Sequence, residues 1–456
     1  MHETHPHLLK SGEITPGISA LEYHERRAAL AAKMPLGSIA ILVGNEIKTR
    51  SGAVFYEFHQ NPDFYYLTGF NEPTALAIIE KSTDDDYTFH MFVQPKNERI
   101  ELWEGPRTGV QGALDVFNAD EAGDIDHAPV YLGRLLKGAK QVFMDYGPGP
   151  SKLAGFFSAA VGNARHATTE AHITELIKKY KIPASAVKPL APLVQSLRAV
   201  KSAAEIAVMR TAGRISGRAI SWASGEKCKT ERELDATLDY GFRRGGCEKS
   251  AYVPVVAGGT NALAIHYTRN DNVLHDGDLV LIDAGGQYGG YCADISRAWP
   301  VNGRFTAAQR DLYEAVLSTQ KALINRVVAG TSLESLHAQS VEIFAHEIKQ
   351  IGFEVSRAVL SEVLYPHYVG HHLGLDVHDV PLTSRRIPLV SGNVITIEPG
   401  LYVPENDSRF PEAFRGMGLR IEDNVAVNGH NPVVLSVEAV KEVVDVEAAC
   451  QRILQA

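Results

Sequence analysis

The chain has 456 residues, 45% of them hydrophobic and 22% charged, an ordinary balance for a globular protein of two or three domains. Its net charge of -9 argues against nucleic acid or an anionic membrane as the main partner, and no apolar run approaches the roughly 20 residues of a membrane span. Four cysteines, Cys228, Cys247, Cys292 and Cys450, form no CxxC pair, and the leader MHETHPHLLKSGEITPG has no apolar signal block, so a reducing compartment and no secretion are expected.

Residues 18–192 read as an α/β domain. A charged helix over 21–32 precedes the buried strand SIAILVG; FYYLTGF and ALAIIEK follow as strands, and YTFHMFVQP and QVFMDYG complete the sheet. His59, Asp63, Tyr66 and Trp103 form no compact catalytic cluster and read as aromatic core and strand-end polar groups. Prolines in KPLAPLVQSLRAVKS punctuate an extended crossing strand, which places the domains at 1–192 and 193–456.

The second domain reads as α+β with two related halves. Ser202 with Glu205 opens a helix through 224, and Thr230 with Glu233 opens one that ends at Gly245 and Gly246. Thr306 with Gln309 and Thr331 with Glu334 repeat the scheme, over 306–328 and 331–351. After each helix pair comes a strand run bearing acids. VLHDGDLVLIDAG aligns without gaps on PLVSGNVITIEPG, matching Leu274 with Leu389, Gly277 with Gly392, Gly285 with Gly400 and Asp283 with Glu398. A carboxylate at the same place in both copies marks a duplicated unit serving one shared cleft.

The first run continues through GGQYGG into CADISR as a hairpin. A turn centred between Tyr288 and Gly289 makes Asp283 and Asp294 a directly opposed pair, in which like charges repel. Two readings are open from this hairpin alone: a cation lies between the acids, or one is a turn cap and the other faces water. Elsewhere lie His266, then His367, His371, His372 and His378 in HYVGHHLGLDVHD, and Arg420 with Glu422 in GLRIEDN. Four carboxylates and one imidazole without cysteine favour Mn²⁺, Co²⁺ or Fe²⁺, with Zn²⁺ also compatible. Two ions balance the four charges and activate a water against a carbonyl, with a ligating carboxylate as proton acceptor and histidines polarising the carbonyl or protonating the leaving nitrogen.

Asp283, Asp294, His371, Glu398 and Glu422, set in LIDAGG, CADISR, GHHLGLDVHD, TIEPGLY and GLRIEDN, resemble the five metal ligands of the pita-bread dinuclear metallopeptidases, which include methionine aminopeptidase, prolidase and aminopeptidase P. The segment HQNPDFYYLTGFNEP resembles the creatinase-like N-terminal domain of aminopeptidase P, so the likeness spans nearly the whole chain. It implies a metalloaminopeptidase with two Mn²⁺ ions that acts on peptide or protein N-termini, Xaa-Pro peptides included, as a homo-oligomer, dimer or tetramer. It also implies roles: Asp283 on one metal, Asp294 and Glu422 bridging, His371 on the other metal, and Glu398 as ligand and general base. His378 and His266 then contact the scissile carbonyl and the substrate, His367 and Tyr402 line the pocket, and Arg420 orients an acid or the substrate.

One stretch departs from the bacterial enzymes. Where they carry an acid before their QN segment, this chain has Ala53, Val54 and Phe55 in SGAVFYEFHQN, and with the leader PGISALEYHERR it looks more like the mitochondrial intermediate-cleaving aminopeptidases of fungi and plants. That implies trimming of imported proteins without a proline requirement, in the mitochondrial matrix or otherwise the cytoplasm. The alternative of another class is a pita-bread module that binds without catalysis; such modules lack metal ligands, and here all five are present.

Overall fold

The computed structural model of the chain describes residues 2–145 and 169–451. It comprises two compact units, Met1–Leu197 and Arg198–Ala456.

The N-terminal unit is built on a six-stranded mixed sheet in the order Val187–Lys188, Gln141–Phe143, Ser38–Val43, Leu76–Lys81, Thr88–Val93 and Glu121–Asp124. Its central strands are apolar on both faces because helices cover them, with Ile39, Ile78 and Phe92 packed against Leu132 and Leu136 of the helix Ala128–Gly138. The predicted strands appear with two corrections. FYYLTGF is not a strand: Pro62–Thr68 is a helix, opened by Asn61, whose side chain accepts from the Phe64 N–H, and closed by Gly69 at φ 69°. An Asn cap, a proline in the first turn and a left-handed glycine outweigh the β preference of the tyrosines. Likewise Ala191–Arg198 is a helix, not an extended crossing, since Pro192 occupies its first turn, where no backbone N–H is needed. The end of QVFMDYG, from residue 146, lies outside the described residues.

In the second unit each half places two helices against a short curved sheet. The first half has helices Ala203–Ala223 and Glu231–Gly245, both opened by full capping boxes at Ser202 with Glu205 and Thr230 with Glu233. The second has Ala307–Ile324, boxed by Thr306 with Gln309, and Leu333–Gln350. That last helix is capped one residue later than expected, by Ser332 accepting from the Ser335 N–H.

The strands Leu279–Ala284 and Ile295–Pro300 pair antiparallel, with Val255–Gly258 on the other side of the former. Their extension, Gly286–Tyr288 with Tyr291–Cys292, closes on Gly289 and Gly290, both at positive φ (57° and 82°), the conformation of a tight hairpin turn. The turn centre is therefore one residue beyond the expected one. Asp283 faces Ser296, and Asp294 lies diagonally across from it. The slip of two in the pairing preserves side-chain parity, so both acids still point to one face. Gly285 is required there, because a Cβ would lie 2.0 Å from the Ala293 carbonyl oxygen.

In the second half, Val394–Ile397 pairs with Asp423–Ala426 and Gly400–Tyr402 with Gly418–Arg420. Ile397 faces Asp423 and Gly400 faces Arg420, so the register sets Glu398 across from Glu422. The directly opposed acid pair expected in the first copy is thus realised in the second. The two hairpins meet edge to edge: the Glu422 N–H donates to the Ser296 carbonyl (3.0 Å), and the Asn424 side chain accepts from the Asp294 N–H (3.1 Å) and donates to the Asp294 carbonyl.

Candidate metal centre

The meeting of the hairpins brings carboxylates from both halves to one place. Asp294, His371 and Glu422 present ligand atoms all within 4.8 Å of one another. His371 Nε2 lies 3.3 Å from Asp294 Oδ2 and 3.6 Å from Glu398 Oε1. Its Nδ1 bonds the His372 carbonyl at 3.0 Å, so Nδ1 carries a hydrogen and Nε2 is the nitrogen turned to the acids. That is how metal-ligating imidazoles are oriented. Asp283 joins through Tyr252, whose hydroxyl lies 2.5 Å from Asp283 Oδ1 and 2.6 Å from Asp294 Oδ1. One hydroxyl has one hydrogen to give, so without a cation the second contact requires a proton on a carboxyl group.

The electrostatics express the same shortage of positive charge. Burial, with the charges of Asp294 and Glu398, pushes Glu422 well above the carboxylate range, and burial pushes Glu398 up to about 7 against the pull of His371 and Arg420. Burial raises Asp283 despite the Arg420 guanidinium. Asp294 alone is held low, since its bond to His371 and that imidazole's charge outweigh its burial. His371 is the counterpart: burial pushes it down, but Asp294 and Glu398 hold it up at about 9. Buried like charges in this number fit divalent cations, for which the protonated forms are substitutes.

Around the acids runs a polar ring. Arg420, fully buried, donates from Nη2 to Asp283 Oδ2 (2.6 Å), from Nη1 to the Tyr402 hydroxyl (2.6 Å) and from Nε to Ser296 Oγ (2.8 Å); Ser296 Oγ in turn donates to Glu422 (2.7 Å). His367 Nδ1 donates to the Tyr368 carbonyl (2.8 Å), so its Nε2 accepts from the Tyr402 hydroxyl (3.0 Å). Burial and the Arg420 charge push this imidazole down to about 3, which keeps it neutral. His378 stacks edge-on against His371, with ring centres 4.4 Å apart. Its loop is pinned by the neighbouring Asp379, which bonds Lys201 Nζ (2.8 Å) and Arg198, and Val380 is held at φ 43°, a strained value for a β-branched residue. His266 is exposed on the segment after Val255–Gly258, near enough to His367 and His378 for its charge to act on both.

Two family models match, metallopeptidase family M24 over residues 207–429 and the aminopeptidase P N-terminal domain over 23–143. Intermediate cleaving peptidase 55 of Saccharomyces cerevisiae is 47% identical over 99% of this chain and 88% of its own length. The chain belongs to metallopeptidase family M24. A crystal structure of the same yeast protein superposes with a TM-score of 0.87 at 45% identity, covering 97% of this chain and 99% of that one. Xaa-Pro aminopeptidase 3 of Rattus norvegicus is 37% identical over 98% of this chain and 89% of its own. Zinc-substituted aminopeptidase P of E. coli, in complex with product, gives a TM-score of 0.86 at 32% identity over 95% of this chain and 98% of that one. The chain is therefore a creatinase-like N-terminal domain followed in sequence by a pita-bread domain, and the protein is a metalloaminopeptidase that uses divalent metal ions.

Within this M24 site, three of the five expected ligands form the tightest group, with Asp283 and Glu398 at its margins. Arg420 makes its contacts to Asp283, Tyr402 and Ser296, which suits orientation of an acid. Tyr252, Ser296 and Asn424 escaped the sequence reading. Tyr252 precedes the strand whose Val255 faces Asp283, a relation visible only once the register is known. No helix among the described residues is long and apolar enough to cross a membrane.

Proposed function

We propose that the chain removes a single N-terminal residue from peptides and proteins using two divalent ions, held by Asp283, Asp294, His371, Glu398 and Glu422. The observation that carries this reading is His371 Nε2 aimed at Asp294 and Glu398, carboxylates from both halves of the duplicated fold. The ions, Mn²⁺ on the chemistry of an oxygen-rich set, supply Lewis acidity that makes water nucleophilic at neutral pH and polarises the scissile carbonyl. Glu398 takes the proton of the attacking water: among the described residues its side-chain partners, Thr396 Oγ at 3.5 Å, His371 Nε2 at 3.6 Å and His367 Nδ1 at 3.7 Å, are too distant to commit its oxygens. His378 and His266 contact the scissile carbonyl and the substrate. His367, kept neutral, and Tyr402, locked by Arg420, form a rigid polar wall for the residue after the cleaved bond.

The replacement of the acid that the bacterial enzymes carry before their QN segment by Ala53, Val54 and Phe55 supports acceptance of large hydrophobic leading residues. The 47% identity to a relative named for intermediate cleavage supports the same reading, as does the plant relative named as mitochondrial for a place in the mitochondrial matrix. Xaa-Pro peptides are accepted and proline is not required. The test is kcat/KM for peptides led by Tyr-Pro and Tyr-Ala on the Mn²⁺-loaded protein. The expected ratio is below about 10³, whereas a larger one, about 4 kcal/mol of transition-state discrimination, would make proline obligatory. A purely binding module would show neither cleavage nor stoichiometric metal.

A further inference from the structure

Glu231 is a fully buried carboxylate at the first position of the helix Glu231–Gly245. It is not needed to start that helix, because Thr230 and Glu233 already form the capping box. No lysine or arginine pairs with it among the described residues. Its four acceptor contacts come instead from neutral donors: the Gly258 N–H (2.9 Å) and Asn261 Nδ2 (2.8 Å) on Oε1, the Tyr267 hydroxyl (2.8 Å) and the Asn272 N–H (2.8 Å) on Oε2. Asn261 Nδ2 also reaches the Tyr267 hydroxyl at 3.1 Å.

These donors lie at both ends and in the middle of the segment 258–272. His266 sits inside that span, exposed and with no hydrogen bond among the described residues, next to Tyr267, whose hydroxyl is tied to Glu231. We propose that Glu231 is a positioning residue: its carboxylate fixes the segment that carries His266, and through it the substrate contact assigned above to that imidazole, on which reading the proposal rests. Two of the four donors are backbone amides that cannot reverse. A glutamine of the same shape must therefore set its own NH₂ against one of them, loosening one end of the segment while preserving volume.

A mutant cycle tests this, with kcat/KM measured on a Tyr-led peptide and Mn²⁺ content measured for each protein. Glu231→Gln is expected to lower kcat/KM by about 10- to 100-fold, as loss of a supporting partner does, with Mn²⁺ content unchanged. In the His266→Ala background the same change should cost less than about twofold, because the two act as one unit. Tyr267→Phe, which removes one donor and leaves the carboxylate, should give a smaller loss with the same dependence on His266. It supplies the cycle if Glu231→Gln does not fold. Additive losses, with His266→Ala itself impaired, would overturn the positioning role alone. Native kcat/KM in His266→Ala would remove the assigned role of His266, and the proposal with it.

Discussion

The two hairpins are copies of one unit, yet they hold their aligned acids in opposite ways. Asp283 is gripped by two short charge-assisted bonds, from Tyr252 at 2.5 Å and Arg420 at 2.6 Å. Glu398, at the same place in the other copy, has no side-chain partner closer than 3.5 Å among the described residues, faces Glu422 across the ladder and is pushed up to about 7 by burial. A carboxylate with both oxygens fixed keeps a ligand position. One whose partners are this distant can take up and release a proton. Duplication supplied the two acids, and the surroundings of each divided the labour.

Removing the metal should erase this distinction and has the largest expected effect: chelation abolishes turnover and Mn²⁺ restores it. Full activity in demonstrably metal-free protein would contradict the site. Next, Glu398→Gln should cost about 10² to 10⁴ in kcat with a much smaller change in KM, the range for loss of a general base. A variant that keeps both its metal and near-native kcat would show that the proton goes elsewhere. On the other side of the comparison, Tyr252→Phe frees Asp283 and Asp294 from their shared donor. It should weaken metal affinity by about 10- to 100-fold, read by titration of the metal-free protein, while saturating Mn²⁺ recovers most of kcat.

The smallest effect concerns the base of the second hairpin. Asp423 is buried against Arg297 (2.8 Å) and Lys441 (2.6 Å), whose charges outweigh its burial and hold it down to about 2. A depressed carboxylate contributes stability that is present above its unfolded value, about 3.9, and is lost as pH falls through about 2. The stability gap between the native chain and Asp423→Asn, from urea unfolding, should therefore narrow by about 2 kcal/mol between pH 5 and pH 2. A gap independent of pH would place the contribution elsewhere.

Most of the framework was legible because its signals are local. Three of the four capping boxes and the alternation of helix pairs with acid-bearing strands could be read from spacing alone. Asp283 and Glu398 announced themselves by repetition. What escaped depended on register or on competing local signals. The Gly289–Gly290 turn moved Asp294 from opposite Asp283 to a diagonal place, and only the paired strands reveal that Ser296 takes the opposing position. Asn61, Pro62 and Gly69 turned an aromatic run into a helix. Tyr252 carried no pattern of its own, since its role follows from a ladder in which a distant strand sets the partner.

The Asn424 side chain does for Asp294 what a neighbouring strand would do, satisfying both its amide and its carbonyl from the other half of the unit. The Glu422 N–H does the same for the Ser296 carbonyl. Each half thus lacks an edge that the other supplies, and a fragment ending after the first hairpin would leave the buried backbone of Asp294 unpaired. The halves should therefore unfold as one cooperative unit. A break in the chain between them, near residues 301–306, should release no folded half.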